Sequence, residues 1–203
     1  AQFERFAKFP RDATPDEKLE RMEEMLSVGH DDLAQVAPLY AALLSIDTGD
    51  RYAPLNMSPQ RQKEKTIEAI AEQTAGIARH GPVVVIFEDA HWADPTTLEV
   101  LEAVIGRIEN AAVLLVITYR FEFDPPWAHA HITQLALSRL AKRQCADMVD
   151  KVTGGKALPD EVLTQIVAKT DGVPLFVEEL TKTVLEAGFL KDTGSAYELD
   201  SPL

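Results

Sequence analysis

Apolar residues recur at helical spacing over much of the first eighty positions. They return every three or four residues, which predicts amphipathic helices, in the stretches 15–28, 31–44 and 59–79. Thr14-Pro15 and Ser58-Pro59 precede two of these stretches, and a capping residue followed by proline is typical of a helix start. We therefore predict that helices separated by loops form the N-terminal part of the chain.

Two apolar runs without helical spacing follow, Val83–Phe87 and Val113–Thr118. Neither run alternates with polar residues, so we predict that each is a strand covered on both faces, as in a parallel sheet. A helix beginning at Asp94 lies between them, and a strand–helix–strand unit is typical of α/β proteins. A weaker strand is predicted at Ile132–Leu137.

The last part of the chain has the pattern of helices again, beginning near Ser138 and interrupted at Gly154. The composition changes at that glycine, from a segment that contains strands to helices and a polar tail. We predict an α/β core in residues 1–153 and a small helical lobe in residues 154–203.

Charge and cysteine content exclude several classes of protein. The 203 residues include 20 Lys and Arg against 33 Asp and Glu, a formal net charge of −13. Such a chain lacks the positive field that holds nucleic acid by its phosphates, so we expect no direct nucleic-acid partner. The single cysteine, Cys145, rules out an internal disulfide framework and a multi-cysteine metal site.

The sequence also argues against a membrane or secreted protein. The longest apolar runs are far shorter than the roughly 20 residues that a spanning helix needs. No charged segment followed by an apolar one opens the chain, so we expect a cytoplasmic location and no membrane partner. The chain begins at Ala1 rather than at Met, which suggests a piece of a longer protein.

Charged side chains follow both predicted strands. Glu88 and Asp89 come directly after the first, and Arg120 comes shortly after the second. Ligands of open α/β sheets bind beyond the carboxyl ends of the strands, where a carboxylate can hold Mg²⁺ and an arginine can meet a phosphate. The alternatives are acidic residues that only add solubility and a structural ion pair between Arg120 and either carboxylate.

Other residues have simpler interpretations. Gly172 and Pro174 fit an ordinary turn in which glycine ends one helix and proline opens the next. Trp92 is interpreted as packing at the start of a helix, and His129 and His131 as solvated loop residues.

Three segments, in this order, resemble the later half of the ATPase module of the signal-transduction ATPases (STAND class), an AAA-like branch of the P-loop ATPases. The segment Phe87–Thr96 closely resembles the Walker B region of that family. Arg120 matches its sensor arginine, and Gly172–Leu180 matches the glycine–x–proline motif of its helical lobe. With Leu43–Lys63 included, the likeness extends to large bacterial signalling proteins that pair this ATPase with an adenylate/guanylate cyclase domain and a helical repeat array.

The resemblance implies a parallel-sheet core of the P-loop NTPase type followed by a small helical lobe. It implies ATP and Mg²⁺ as cofactors, a nucleotide-dependent switch with slow hydrolysis, and the other domains of a parent chain as partners. Glu88 would occupy the Mg²⁺-side position, Asp89 would polarise the attacking water, and Arg120 would sense the γ-phosphate. Pro174 would lie against the adenine, beside Gly172 of the same nucleotide-binding motif.

The sequence departs from that family in two ways. It contains no phosphate-loop motif, Gly-x-x-x-x-Gly-Lys-Ser/Thr, because Ala157 follows the only Gly-Lys pair. The resemblance therefore implies a core that lacks its first strand, its phosphate loop and its first helix. The order Glu-Asp replaces the commoner Asp-Asp or Asp-Glu, which argues against fast hydrolysis. Because the missing strand would lie beside the second strand here, we expect the isolated chain to be marginally stable, rearranged or oligomeric.

Two other functions are open to such a chain. A non-catalytic interaction scaffold derived from an ATPase would keep the helices and the acidic surface, but it has no need of paired carboxylates at a strand end. The chain could itself be a cyclase, which we disfavour because cyclase activity lies in a separate domain of the proteins that it resembles.

Overall fold

The computed structural model describes residue 9 and residues 12–200. Its contacts divide the chain into two compact units, Ala1–Ile132 and Thr133–Leu203, which are described separately. The division falls before the boundary predicted between residues 153 and 154, because the helix Lys142–Val152 packs on the helices that follow it.

The first unit begins with the predicted helices, which are α1 (Pro15–Ser27), α2 (Leu33–Leu43) and α3 (Pro59–Ile77). Their starts form as the sequence indicates. The Thr14 hydroxyl accepts the N–H of Glu17, whose carboxylate accepts the N–H of Thr14 at 2.7 Å. The Ser58 hydroxyl likewise accepts the N–H of Arg61. These bonds satisfy amides that a helix start otherwise leaves without a partner.

The predicted strand–helix–strand unit is confirmed. Strands β1 (Val83–Phe87) and β2 (Val113–Ile117) pair in parallel, and α4 (Pro95–Arg107) connects them. The two strands are in register along their whole length, so that Phe87 lies opposite Ile117. Both strands therefore end at the same edge of the sheet.

Helices cover one face of this strand pair. Val113 and Leu115 pack with Ala71 of α3 and with Val104 and Ile108 at the end of α4. The other face is open, with relative exposures between 39% and 63% for Val84, Ile86, Leu114 and Val116. The prediction that both strands are covered on both faces is therefore wrong, because among the described residues helices pack on one face of the pair alone.

The segment Ile132–Leu137 forms no strand, although one was predicted there. Among the described residues the parallel sheet contains β1 and β2 alone, and Leu137 is 97% exposed. A strand needs a neighbouring strand for its backbone hydrogen bonds, and among the described residues no strand pairs with this segment.

Helices α1 to α3 share a core whose fully buried members include Leu19, Met22, Leu26 and Tyr40. Gly29, just after α1, and Gly76 of α3 bring two backbones close together, and a Cβ on Gly76 would collide with the Gly29 carbonyl. The Gln73 side chain donates to the Met25 carbonyl at 2.8 Å beside this contact.

In its described residues, the second unit contains three helices and a hairpin. These are α5 (Lys142–Val152), α6 (Asp160–Thr170), α7 (Pro174–Glu186), β3 (Leu190–Asp192) and β4 (Tyr197–Leu199). Its core contains Cys145, Val149, Val162, Ile166 and Val177, so the one thiol is structural. The hairpin lies in a segment that the sequence analysis treated as a polar tail. Within the described residues, no helix has both the length and the apolar content that crossing a bilayer requires.

Candidate functional site

The candidate site begins where β1 and β2 end. Glu88 and Asp89 continue from β1, while Thr118, Tyr119 and Arg120 continue from β2. Because Phe87 and Ile117 are paired, both segments leave the sheet at the same edge. Glu88, Asp89 and Arg120 therefore follow strand ends at the same edge of the sheet, but Arg120 is not among the residues that line the cleft found there.

Asp89 has an unusual backbone conformation. Its φ of 55° and ψ of 47° lie in the left-handed region, which residues with a Cβ rarely adopt and which aspartate tolerates better than most. Its N–H donates to the Thr118 hydroxyl at 3.0 Å, and the next N–H, that of Ala90, donates to the Thr118 carbonyl at 2.8 Å. Thr118 therefore holds the turn that carries Asp89.

A short 3₁₀ turn, Ala90–Trp92, follows the two carboxylates. The His91 ring is mostly buried, and its Nδ1 lies 3.9 Å from Oδ1 of Asp89. Trp92 is 76% exposed, so the prediction that it packs at the helix start is wrong: the buried side chain of the turn is Ala90, and the indole projects outward.

An open cleft of about 330 Å³ lies at this edge, lined by Phe87, Glu88, Asp89, Trp92, Ala93, Asp94 and Thr97. Asp94 is already engaged, because its carboxylate accepts the backbone N–H and the hydroxyl of Thr97. Those bonds hold the pKa of Asp94 below its ordinary value. Glu88 and Asp89 are exposed and supply the cleft's other carboxylates.

Arg120 lies at the same edge with an exposed side chain. In the part of the chain that the structure describes, it forms no ion pair with Glu88 or Asp89. The alternative in which Arg120 neutralises one of these carboxylates therefore has no support here. A guanidinium without such a partner can bind an anion.

The donor set at the strand ends fits Mg²⁺ better than a transition metal. Across residues 12–200, no group of three or more His, Cys, Asp and Glu is arranged to hold a metal ion. Mg²⁺ does not need such a group, since one or two carboxylates with waters and substrate phosphates suffice. Glu88 and Asp89, which line the cleft, could supply oxygen ligands of this kind.

Gly172 and Pro174 lie in the second unit, where they form the turn between α6 and α7. Gly172 has a φ of 72°, and a Cβ there would collide with the carbonyl of Leu140, whose N–H donates to the Gly172 carbonyl at 2.7 Å. Pro174 is exposed at the first position of α7. This geometry supports the structural interpretation of the pair, and their predicted contact with a nucleotide stays a prediction.

The sequence did not predict the bonds that Thr118 makes to the Asp89 turn, nor the contacts of two histidines in the loop that follows Arg120. His129 and His131 are not simply solvated, because their Nε2 atoms lie 2.8 Å from the Glu102 carboxylate and 3.0 Å from the Ile105 carbonyl. A hydroxyl directly after a strand was the only sequence signal for Thr118. It does not show which distant amide the hydroxyl will meet.

Comparison with known proteins places the chain near one relative. It is 33% identical over 132 residues to an uncharacterized protein of Rhizobium meliloti (strain 1021). The match covers 64% of this chain and 13% of the relative, so the chain spans about an eighth of that protein's length. No protein-family profile matches the chain, and no solved structure matches it.

Proposed function

We propose that this chain is the C-terminal part of an ATP-binding regulatory ATPase module within a longer signalling protein. One observation carries the proposal: Glu88 and Asp89 line an open cleft at the end of β1, and the segment that bears Arg120 leaves the paired strand β2 at the same edge of the sheet. That edge is where α/β sheets bind ligands, and these groups suit a metal–phosphate complex.

The site residues have distinct roles in this proposal. Glu88 holds the Mg²⁺ that accompanies the nucleotide, which neutralises charge on the phosphates. Asp89 accepts a hydrogen bond from the water that attacks the γ-phosphorus, and Arg120 stabilises negative charge on the γ-phosphate oxygens. Pro174 and Gly172 are proposed, by resemblance only, to contact the adenine side.

The proposal needs a phosphate-binding loop from outside this sequence, because none of the 203 residues forms Gly-x-x-x-x-Gly-Lys-Ser/Thr. The relative in Rhizobium meliloti is several times longer than this chain, which is consistent with a module inside a larger protein. The first check is therefore the coding sequence upstream of Ala1. A phosphate loop within roughly 100 residues, after a strand, supports the ATPase, whereas its absence favours a scaffold.

A non-catalytic interaction scaffold is the second candidate. The observation that favours it is the open apolar face formed by Val84, Ile86, Leu114 and Val116, which is available to another polypeptide segment. A cyclase activity, if the longer protein has one, is assigned to a different domain.

Replacing Asp89 separates the two candidates in the full-length protein. In an ATPase, Asp89→Asn should leave ATP affinity within about twofold and lower the hydrolysis rate by ~100-fold or more, because the general base is lost. The measurements are calorimetric ATP binding and phosphate release. Asp50→Asn, at an exposed loop position, is the matched control and should leave both unchanged. Wild-type protein that fails to bind millimolar ATP with Mg²⁺ would refute the proposal.

A further inference from the structure

The turn that carries Asp89 is bonded to Thr118, the residue that directly follows the neighbouring strand β2. Asp89 and Ala90 supply consecutive N–H groups, and both donate to Thr118, one to its hydroxyl at 3.0 Å and one to its carbonyl at 2.8 Å. The N–H of Thr118 in turn donates to the Phe87 carbonyl at 2.9 Å. Thr118 is thus bonded to the backbone immediately before and after Glu88.

These contacts oppose the intrinsic preference of Asp89. A residue with a Cβ seldom adopts φ near 55° unless its surroundings require it, and the two bonds to Thr118 supply that requirement on one side. On the other side Ala90 is completely buried, so packing keeps the following residue in place. The bonds to Thr118 therefore help to set the backbone of Asp89, and with it the direction of the Asp89 Cα–Cβ bond.

We infer that Thr118 is a positioning residue for Asp89 in the hydrolysis step, an inference that rests on the proposed function. Thr118 does not touch the water or the phosphate. Its hydroxyl keeps the Asp89 N–H in the left-handed turn, and this holds the carboxylate in the direction that water activation requires. Thr118 also precedes Arg120 by two residues, so both residues belong to the segment that follows β2.

Removing only the hydroxyl tests the inference. Valine has the shape of threonine and suits a strand end, but it has no oxygen to accept the Asp89 N–H. In full-length protein, Thr118→Val should lower kcat for ATP hydrolysis by ~10- to 100-fold, the loss typical when a supporting group lets a reacting one shift. The KM for ATP should change by less than about threefold, since binding groups stay in place.

Two companion variants separate positioning from a general loss of structure. Thr118→Ser restores the acceptor and should recover kcat to within about threefold of wild type. Thr74→Val removes a hydroxyl that bonds only to its own helix, at the Ile70 carbonyl, and should leave kcat and KM unchanged.

The Asp89→Asn background makes the test specific. If Thr118 acts through the Asp89 carboxylate, Thr118→Val should lower the residual rate of Asp89→Asn by less than about twofold, because groups that act as a unit are not additive. A structural defect would lower the rate equally in both backgrounds and would overturn the inference.

Two further outcomes are decisive. If the wild type hydrolyses ATP and Thr118→Val is fully active, the role of Thr118 is overturned while the hydrolytic function stands. The same holds if Thr118→Ser is as impaired as Thr118→Val. A wild-type protein that binds ATP but never releases phosphate overturns the hydrolytic function and the positioning role with it.

Discussion

At the scale of single residues, two imidazoles have buried ring nitrogens that no group in the described part of the chain satisfies: Nε2 of His30 and both nitrogens of His91. Burial lowers the pKa of His30; the carboxylates of Glu72 and Asp31 oppose this effect and Arg79 adds to it. An unpaired buried polar group costs stability, and a buried charge costs more. Burial therefore favours the neutral imidazole of His30 over its charged form.

Acid should destabilise the protein through His30. Because its folded-state pKa lies below the ordinary value of about 6.5, the unfolded chain binds the proton more readily, and stability rises with pH in that range. We expect this contribution to be fully present above about pH 6.5 and to be lost as the pH falls through the folded-state pKa. Urea unfolding at several pH values measures it.

The control for that experiment is an exposed histidine. His30→Gln should make the free energy of unfolding less dependent on pH between 7.5 and 5, because it removes the group whose pKa burial lowers. His80→Gln, at an exposed position, should retain the wild-type dependence on pH. An unchanged slope in His30→Gln would show that other groups carry the acid sensitivity.

At the scale of helices and strands, local signals and close packing act together. The capping residues predict where α1, α3 and α4 begin, because each satisfies amides within three positions along the chain. The meeting of Gly29 and Gly76 could not be predicted in the same way, since those residues are far apart in sequence and close only in the folded protein.

Two glycines one position before the end of their helices give a matched test of this packing. Gly106→Ala in α4 should stabilise the protein by about 0.5–1 kcal/mol, because alanine favours a helix and the new Cβ meets only His129 Cε1 at 3.7 Å. Gly76→Ala in α3 should destabilise it by about 1–3 kcal/mol, because the new Cβ collides with the Gly29 backbone. Chemical unfolding of both variants checks the opposite signs, and a stabilised Gly76→Ala would contradict the close approach.

At the scale of the whole molecule, the main feature is a strand pair with one open face. An exposed apolar face and an open strand edge both favour association with other polypeptide. For the isolated 203-residue chain, the simplest partner is another copy of itself.

We therefore expect the isolated chain to self-associate as its concentration rises, as measured by sedimentation or light scattering. Ile86→Thr combined with Leu114→Thr should shift it towards monomer, because both side chains lie on the open face and threonine still suits a strand. Leu175→Thr removes an exposed apolar side chain from the second unit and should have no such effect. A wild-type chain that stays monomeric at all concentrations would contradict the prediction.

The sequence by itself determined the helices, the two parallel strands and the placement of Glu88, Asp89 and Arg120 after those strands. These features follow from capping, apolar spacing and strand order, which act over short distances along the chain. The sequence also predicts a third strand at Ile132–Leu137 that does not form, because a strand exists only where a neighbour receives its hydrogen bonds.

Only the tertiary structure decided which face of the strand pair lies open, that Trp92 projects outward and that Thr118 holds Asp89 in a left-handed turn. The bond between the Asp89 N–H and the Thr118 hydroxyl joins positions 29 residues apart. Local sequence cannot specify such a bond, since it depends on the register in which β1 and β2 pair, which brings the two residues together.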